Sequence, residues 1–232
     1  MLNYFPWESF IEEIPTMPCC GCGFGATAER QFNAKRAARD VARYRKNGAD
    51  PTTRLLRGAL AAQGRIDGSL LDVGCGIGAL TFELLSLGVS RATGIDASKA
   101  YLAAASEEAC RSGRANAVEF IPGDFLNVAA QLPTATIVTL DRVICCYPAY
   151  EPMLKAALQH AERFPALSYP RDEWHVRAGI RLENGMRRLK GNPFRAFVHP
   201  AAEMRRLVDG AGFRLAARHQ TFTWCADVYR NA

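Results

Sequence analysis

Residues 70–78 read Leu-Leu-Asp-Val-Gly-Cys-Gly-Ile-Gly, an apolar run that enters a turn with glycine at every second position. Gly74, Gly76 and Gly78 permit positive φ and carry no Cβ, so the backbone can approach a ligand closely where a helix begins. A plain tight turn would use the same spacing, and the surroundings have to decide. A second apolar run, 91–95, ends in Asp96, about the distance along the chain at which a carboxylate can accept hydrogen bonds from ribose hydroxyls. A third run, 117–121, leads to Gly123-Asp124-Phe125. A fourth, 135–140, opens into Asp141-Arg142-Val143-Ile144-Cys145-Cys146-Tyr147-Pro148. Such a series builds a nucleotide-type cofactor site, with acids, thiols and a phenol gathered beyond the strand ends.

In this order the motifs resemble those of the class I S-adenosylmethionine-dependent methyltransferases, over roughly residues 50–230. The resemblance implies that Asp72 and the turn Gly74, Cys75, Gly76 and Gly78 face the methionine part of the cofactor. Asp96 and Ala97 would face the ribose, and Asp124 with Phe125 the adenine. Asp141 and the residues after it would lie beside the methyl group and the acceptor. Dinucleotide-binding domains share the strand-glycine-helix-acid logic, but here the spacing is G-x-G-x-G rather than G-x-G-x-x-G, and no second domain of dehydrogenase size remains. Relatives that methylate amino groups often carry Asn/Asp-Pro-Pro-Tyr/Phe where this chain has Cys-Cys-Tyr-Pro, which argues against adenine-N6 or amide methylation.

The catalytic candidates are Asp141, Cys145, Cys146, Tyr147 and His199. Methyl transfer from a sulfonium is an in-line displacement, so alignment and exclusion of water come first and a general base is optional. Asp141 can act on the acceptor or pair with Arg142. Tyr147 can stack on a substrate or simply pack. His160 reads as structural, whereas His175, His199 and Tyr169 follow strand ends and could reach the crevice, and Arg171 is placed to hold an anion. Cys19, Cys20 and Cys22 form C-C-x-C, which lacks the paired spacing of a closed zinc site, so no metal ligands are assigned. Brought near Cys145 and Cys146, they would suit a thiophilic species, a layout with a partial similarity to arsenite methyltransferases. Reduced thiols packed beside the cofactor are the plainer alternative.

With 232 residues, 49% apolar content and a formal charge of +6, the chain supports one core. No apolar run spans a bilayer, the first residues do not resemble a secretion signal, and eight cysteines are read as reduced. A cytoplasmic enzyme without membrane or nucleic-acid partners is expected. Arginines concentrate in 30–57 and 171–206, either as solvated helix faces or as the seat of an anionic small-molecule substrate. Oxygen methylation is the expected chemistry; a metal- or cofactor-binding protein without turnover is the alternative of a different class.

These residues need a scaffold. The pattern predicts an α/β fold, a doubly wound, mostly parallel seven-stranded sheet with helices on both faces. Residues 1–63 are read as an N-terminal arm and helical lid, and 64–232 as the Rossmann-like domain. Helices are expected over 24–47, 52–63, 79–87, 98–112, 150–163, 171–190 and 201–209, with an irregular piece at 125–132. Strands are expected near 69–73, 92–95, 117–121, 135–140 and 164–168, with a final hairpin over 213–219 and 223–229; the resemblance implies that its last strand lies antiparallel between strands five and six.

Overall fold

The computed structural model describes residues 24–232, so Cys19, Cys20 and Cys22 lie outside the described residues. In chain order the elements are α1 (Phe24–Gln31), α2 (Ala34–Asn47), α3 (Pro51–Ala61), β1 (Ser69–Val73), α4 (Ala79–Leu85), β2 (Arg91–Asp96), α5 (Lys99–Arg111) and β3 (Val118–Pro122). There follow α6 (Phe125–Val128), β4 (Ala135–Asp141), α7 (Tyr150–His160), β5 (Ala161–Pro170), α8 (Trp174–Leu189), α9 (Ala201–Gly210), β6 (Phe213–Gln220) and β7 (Trp224–Asn231). The strands form one seven-stranded sheet in the order β3-β2-β1-β4-β5-β7-β6. β1 to β5 run parallel, and β7 is antiparallel to both of its neighbours, β5 and β6. The expected mostly parallel sheet, with its last strand inserted antiparallel, is therefore what forms.

Alternation along the strands builds two cores, because successive side chains leave a strand on opposite faces. Leu71, Val138, Leu140 and Leu167 point to one side, where Met153 and Leu154 of α7 and Met204 and Val208 of α9 cover them. Leu70, Ile137, Ala166 and Val228 point to the other side, under Leu56 and Leu60 of α3 and Leu80 and Leu84 of α4. Leu56, Leu71, Leu84 and Leu140 are fully buried, and each such side chain stabilises the fold by about 2 kcal/mol in transfer free energy. α3 is thus packed on the sheet itself.

Several boundaries differ from the sequence reading. The helix expected over 24–47 breaks at Phe32-Asn33, because the Asn33 side chain accepts a hydrogen bond from the Arg36 amide and caps α2. The helix expected to reach 163 stops at His160, since Ala161 already pairs with Ala135 as the first residue of β5. The helix expected from 171 starts at Trp174 because Arg171 donates its amide to the Thr223 carbonyl, which extends the pairing of β5 with β7. Residues 125–131 hold a four-residue helix and a 3-10 turn where irregular chain was expected.

Candidate active site

The carboxyl ends of β1, β2 and β4 open onto a cavity of about 670 Å³, within the range of small-molecule sites. Its floor is the glycine turn. A Cβ on Gly74, where φ is +66°, would lie 2.3 Å from a Val143 methyl, so the turn and the loop after β4 fit together only because that position is glycine. Gly76, with φ +58°, donates its amide to Asp96 at 2.9 Å, while the other Asp96 oxygen accepts from the Ser98 amide at 2.8 Å. Burial raises the Asp96 carboxyl to about 6 against the pull of these two amides. Asp72 is wholly buried beneath the turn, its two oxygens accepting the hydroxyls of Thr139 and Thr81 at 2.6 Å each. Burial raises it, too, to about 6.

Asp124 caps α6 by accepting the Leu126 amide. The Tyr147 hydroxyl donates to the same Asp124 oxygen. The second oxygen, Oδ2, is buried with no hydrogen-bond partner among the described residues, an expensive state that a donor on a bound molecule would relieve. Gly123, Phe125 and Ala97 complete this side of the wall. Cys75 belongs to the turn through its backbone: its Sγ is buried against Gly94, its amide donates to the Ile95 carbonyl, and burial raises its pKa.

The loop after β4 carries the catalytic candidates. Asp141 lines the cavity, but Thr53 and Ser168 donate hydroxyls to its two oxygens. Arg142 pairs with Asp50 at 2.7 Å rather than with Asp141. Its φ of +62° is the single positive value at a non-glycine residue among those described, a strained conformation concentrated at a site. Cys145 and Cys146 both line the cavity, with their sulfurs 4.0 Å apart and both directed at the Arg142 carbonyl. The Cys146 thiol is raised well above its ordinary pKa, first by its hydrogen bond with Cys145 and then by burial, so it is a thiol at neutral pH. Tyr147 offers a ring rather than a titrating hydroxyl: Phe24 stacks on it with centroids 4.1 Å apart, and burial and Asp124 raise the phenol.

His199 is displaced from the reaction space proposed for it. It is buried between Tyr150 and Phe197, bonds to the Ile144 carbonyl at 3.1 Å and does not line the cavity. Burial lowers its pKa and keeps it neutral. Tyr169 is likewise held away, donating to buried Asp227 at 2.7 Å, and Arg171 is occupied by Glu173 and the Thr221 carbonyl. His160 bonds to the Pro133 carbonyl at the end of α7. The histidine that does line the cavity is His175 on α8, stacked on Phe222.

The far wall was missed residue by residue in the sequence. Arg36 lies over Phe32, Arg187 lies over Phe194, and the two rings meet edge to face at 5.4 Å. Arg39, Arg43 and Arg142 line the cavity too, with Asp40 beside Arg39 and Arg43 and Glu183 paired with Arg187. Arg36 Nε is buried without a hydrogen-bond partner among the described residues. The two arginine concentrations were the visible signal, but helical spacing alone could not say which members turn inward.

Residues 70–164 match a family described as a methyltransferase domain. Over 70 residues the chain is 44% identical to the ribosomal protein L11 methyltransferase of Neisseria gonorrhoeae, a stretch equal to 30% of this chain and 21% of that relative. The chain therefore spans about a fifth of that relative's length. Among solved structures, the magnesium protoporphyrin IX methyltransferase of Synechocystis PCC 6803 with bound SAH superposes with a TM-score of 0.69 at 21% identity, over 89% of this chain and 99% of that one. An O-methyltransferase family protein from Burkholderia thailandensis gives 0.67 at 14% identity, over 88% of this chain and 62% of that one. At these identities the likeness concerns the fold alone. Residues 70–164 thus carry a match to a methyltransferase domain, and the chain around them has the seven-stranded fold of these methyltransferases.

Proposed function

We propose that the protein transfers a methyl group from S-adenosylmethionine to an oxygen of an anionic small molecule. The observation that carries this reading is one cavity lined both by the acids at the strand ends and by arginines with aromatic rings. The acid side fits the cofactor: Gly74 and Gly76 leave a cradle without Cβ, Asp96 offers acceptors for ribose hydroxyls, and the orphaned Asp124 Oδ2 needs a donor such as an adenine amine. Buried Asp72 and half-buried Asp96 gain from a cationic ligand, which would hold them ionised. When bound, the cofactor supplies a methyl group already activated by a sulfonium. The chain's own work is then to orient the acceptor and keep water out.

An acceptor carboxylate or phenolate would be held by Arg36, Arg142 or Arg187, sharing them with Asp40, Asp50 and Glu183, their present neighbours. An anionic oxygen needs no general base, consistent with an Asp141 already occupied by two hydroxyls and a His199 turned away. Asp141 is assigned to positioning, through Thr53 of α3 and Ser168 of β5. Tyr147 and Phe24 are assigned to walling the cavity. Residues 1–63 include the cover, α1 and α2, over the main domain.

A second reading, a thiophilic acceptor, is favoured by the facing sulfurs of Cys145 and Cys146. It has no third ligand among the described residues, which hold no cluster of three or more metal-binding side chains. Transfer of labelled methyl from S-adenosylmethionine, assayed against aromatic and aliphatic acids, phenols, amines, thiols and arsenite, separates the readings. Labelled ester or ether is expected, and Cys145→Ser/Cys146→Ser should retain at least about half the activity. Turnover confined to amines would overturn the oxygen assignment, and turnover confined to arsenite or thiols with loss in the double variant would put the second reading first.

A further inference from the structure

α8 is sixteen residues long and Val176 is its one buried residue. Its other surfaces separate cleanly. Val176, Ile180, Glu183 and Arg187, three or four residues apart, face the cavity. Trp174, Leu182 and Leu189 recur at steps of eight and seven, which keep them within one broad face of the helix, and Met186 lies beside them. They are 79%, 67%, 90% and 47% exposed in the order Trp174, Leu182, Leu189, Met186. Phe222, 75% exposed although it also lines the cavity, extends the patch at the cavity's rim by stacking on His175. Five of the six large apolar side chains exposed among the described residues thus form one strip. A soluble surface scatters such residues singly; a contiguous strip marks a contact.

Beside the strip runs a ridge of Arg177, Arg181 and Arg188, followed by Lys190, all exposed. Arg177 is paired with Asp172, but Arg181 and Arg188 have no ion-pair partner among the described residues. α8 carries four arginines against one glutamate. Two copies meeting through this face about a two-fold axis would set ridge against ridge, like charge on like. What complements an apolar strip edged with Trp and flanked by unpaired arginines is a surface both apolar and anionic.

We propose that the outer face of α8, with Phe222, docks on the surface of a bilayer containing anionic lipid. The helix would lie in the interfacial plane, Trp174, Leu182, Met186 and Leu189 entering the acyl boundary and Arg181 and Arg188 meeting headgroup phosphates. No element crosses the membrane; no described helix is long and apolar enough to do so. Because the inner face of α8 walls the cavity, docking sets the cavity mouth beside the lipid. This proposal does not depend on the acceptor assigned above.

The test is co-sedimentation of the full chain with vesicles of phosphatidylcholine alone and of phosphatidylcholine with phosphatidylserine. Partition onto the anionic vesicles should exceed that onto neutral ones by about tenfold or more, since each arginine near an anionic surface strengthens association roughly fivefold. Raised salt should reverse it. Leu182→Glu/Leu189→Glu and, separately, Arg181→Glu/Arg188→Glu should each remove most of the partition. Both pairs are exposed, so the melting temperature should stay within about 2 °C of wild type. Equal partition onto both vesicles, none onto either, or indifference to the substitutions overturns the proposal. A dimer in sedimentation equilibrium that Leu182→Glu dissolves, without vesicle binding, assigns the strip to a second copy and also overturns it.

Discussion

At the scale of single residues, the site is governed by carboxylates held away from water. Asp96 carries the sharpest consequence. It is raised to about 6 by burial, and a ligand that uses it as an acceptor for hydroxyls requires the ionised form. Affinity for S-adenosylhomocysteine should therefore be full above about pH 7 and fall as the pH drops through 6, a trend that isothermal titration at pH 5.0 and 7.5 would reveal. Stability of the unligated protein has the opposite slope. Asp72 and Asp96 bind protons more tightly folded than unfolded, so the fold loses stability as the pH rises from about 4 to about 6 and is level above that. Urea midpoints across that range check the sign, and groups such as Glu108, lowered first by its bond to Arg45, act against it. The glycine turn and the acids at 72, 96 and 124 were legible in the sequence because their spacing is set by local backbone geometry. Arg36 and Arg187 were not, because their inward direction depends on Phe32 and Phe194, 162 residues apart in the chain.

At the scale of elements, the loop after β4 is where strain and site coincide. Arg142 occupies left-handed backbone, which costs an ordinary L-residue about 1 kcal/mol. Its amide donates to Ser168 and its carbonyl faces both thiols. Arg142→Gly should relieve that cost yet lose the Asp50 ion pair. The expected result is a melting temperature within about 3 °C of wild type with a several-fold rise in KM for an anionic acceptor. A large loss of stability would contradict the strain argument. On the facing side, Gly74→Ala should drive a methyl into Val143 and destabilise by about 2–3 kcal/mol or more, measured by chemical denaturation. The strand series was readable from alternating and continuous apolar runs. The breaks at Asn33, His160 and Trp174 were not, because each is decided by its partner: a cap, a strand register and the continued pairing of β5 with β7.

At the scale of the whole molecule, the N-terminal helices join the site to the rest. α1 reaches the cavity through Phe24 on Tyr147, α2 is tied to α5 by Asp40 with Tyr101 and by Arg45 with Glu108, and α3 delivers Thr53 to Asp141. The sequence indicated helices ahead of the sheet and the resemblance a cover, but neither could show that α3 is a layer of the sheet. That distinction rests on Leu56 and Leu60 meeting Leu70 and Val228, contacts far apart along the chain. Likewise Asp227, wholly buried, gathers Tyr169, Tyr229 and Arg218 into a network that ties β5, β7 and β6 together. Nothing in its local sequence separates it from an exposed acid. Asp227→Ala, which strands three donors, should cost about 3 kcal/mol or more in the urea unfolding free energy.

The central claim is that the cavity's acid side holds a nucleoside cofactor through the end of β2. Calorimetric titration of S-adenosylhomocysteine into the wild-type protein and into Asp96→Asn at pH 7.5 tests it most directly. One molecule should bind per wild-type chain, with affinity reduced by about 10- to 100-fold in Asp96→Asn, as expected for loss of a hydrogen bond to a charged acceptor. Absence of binding to the wild type, or equal affinity in the two proteins, would contradict the account.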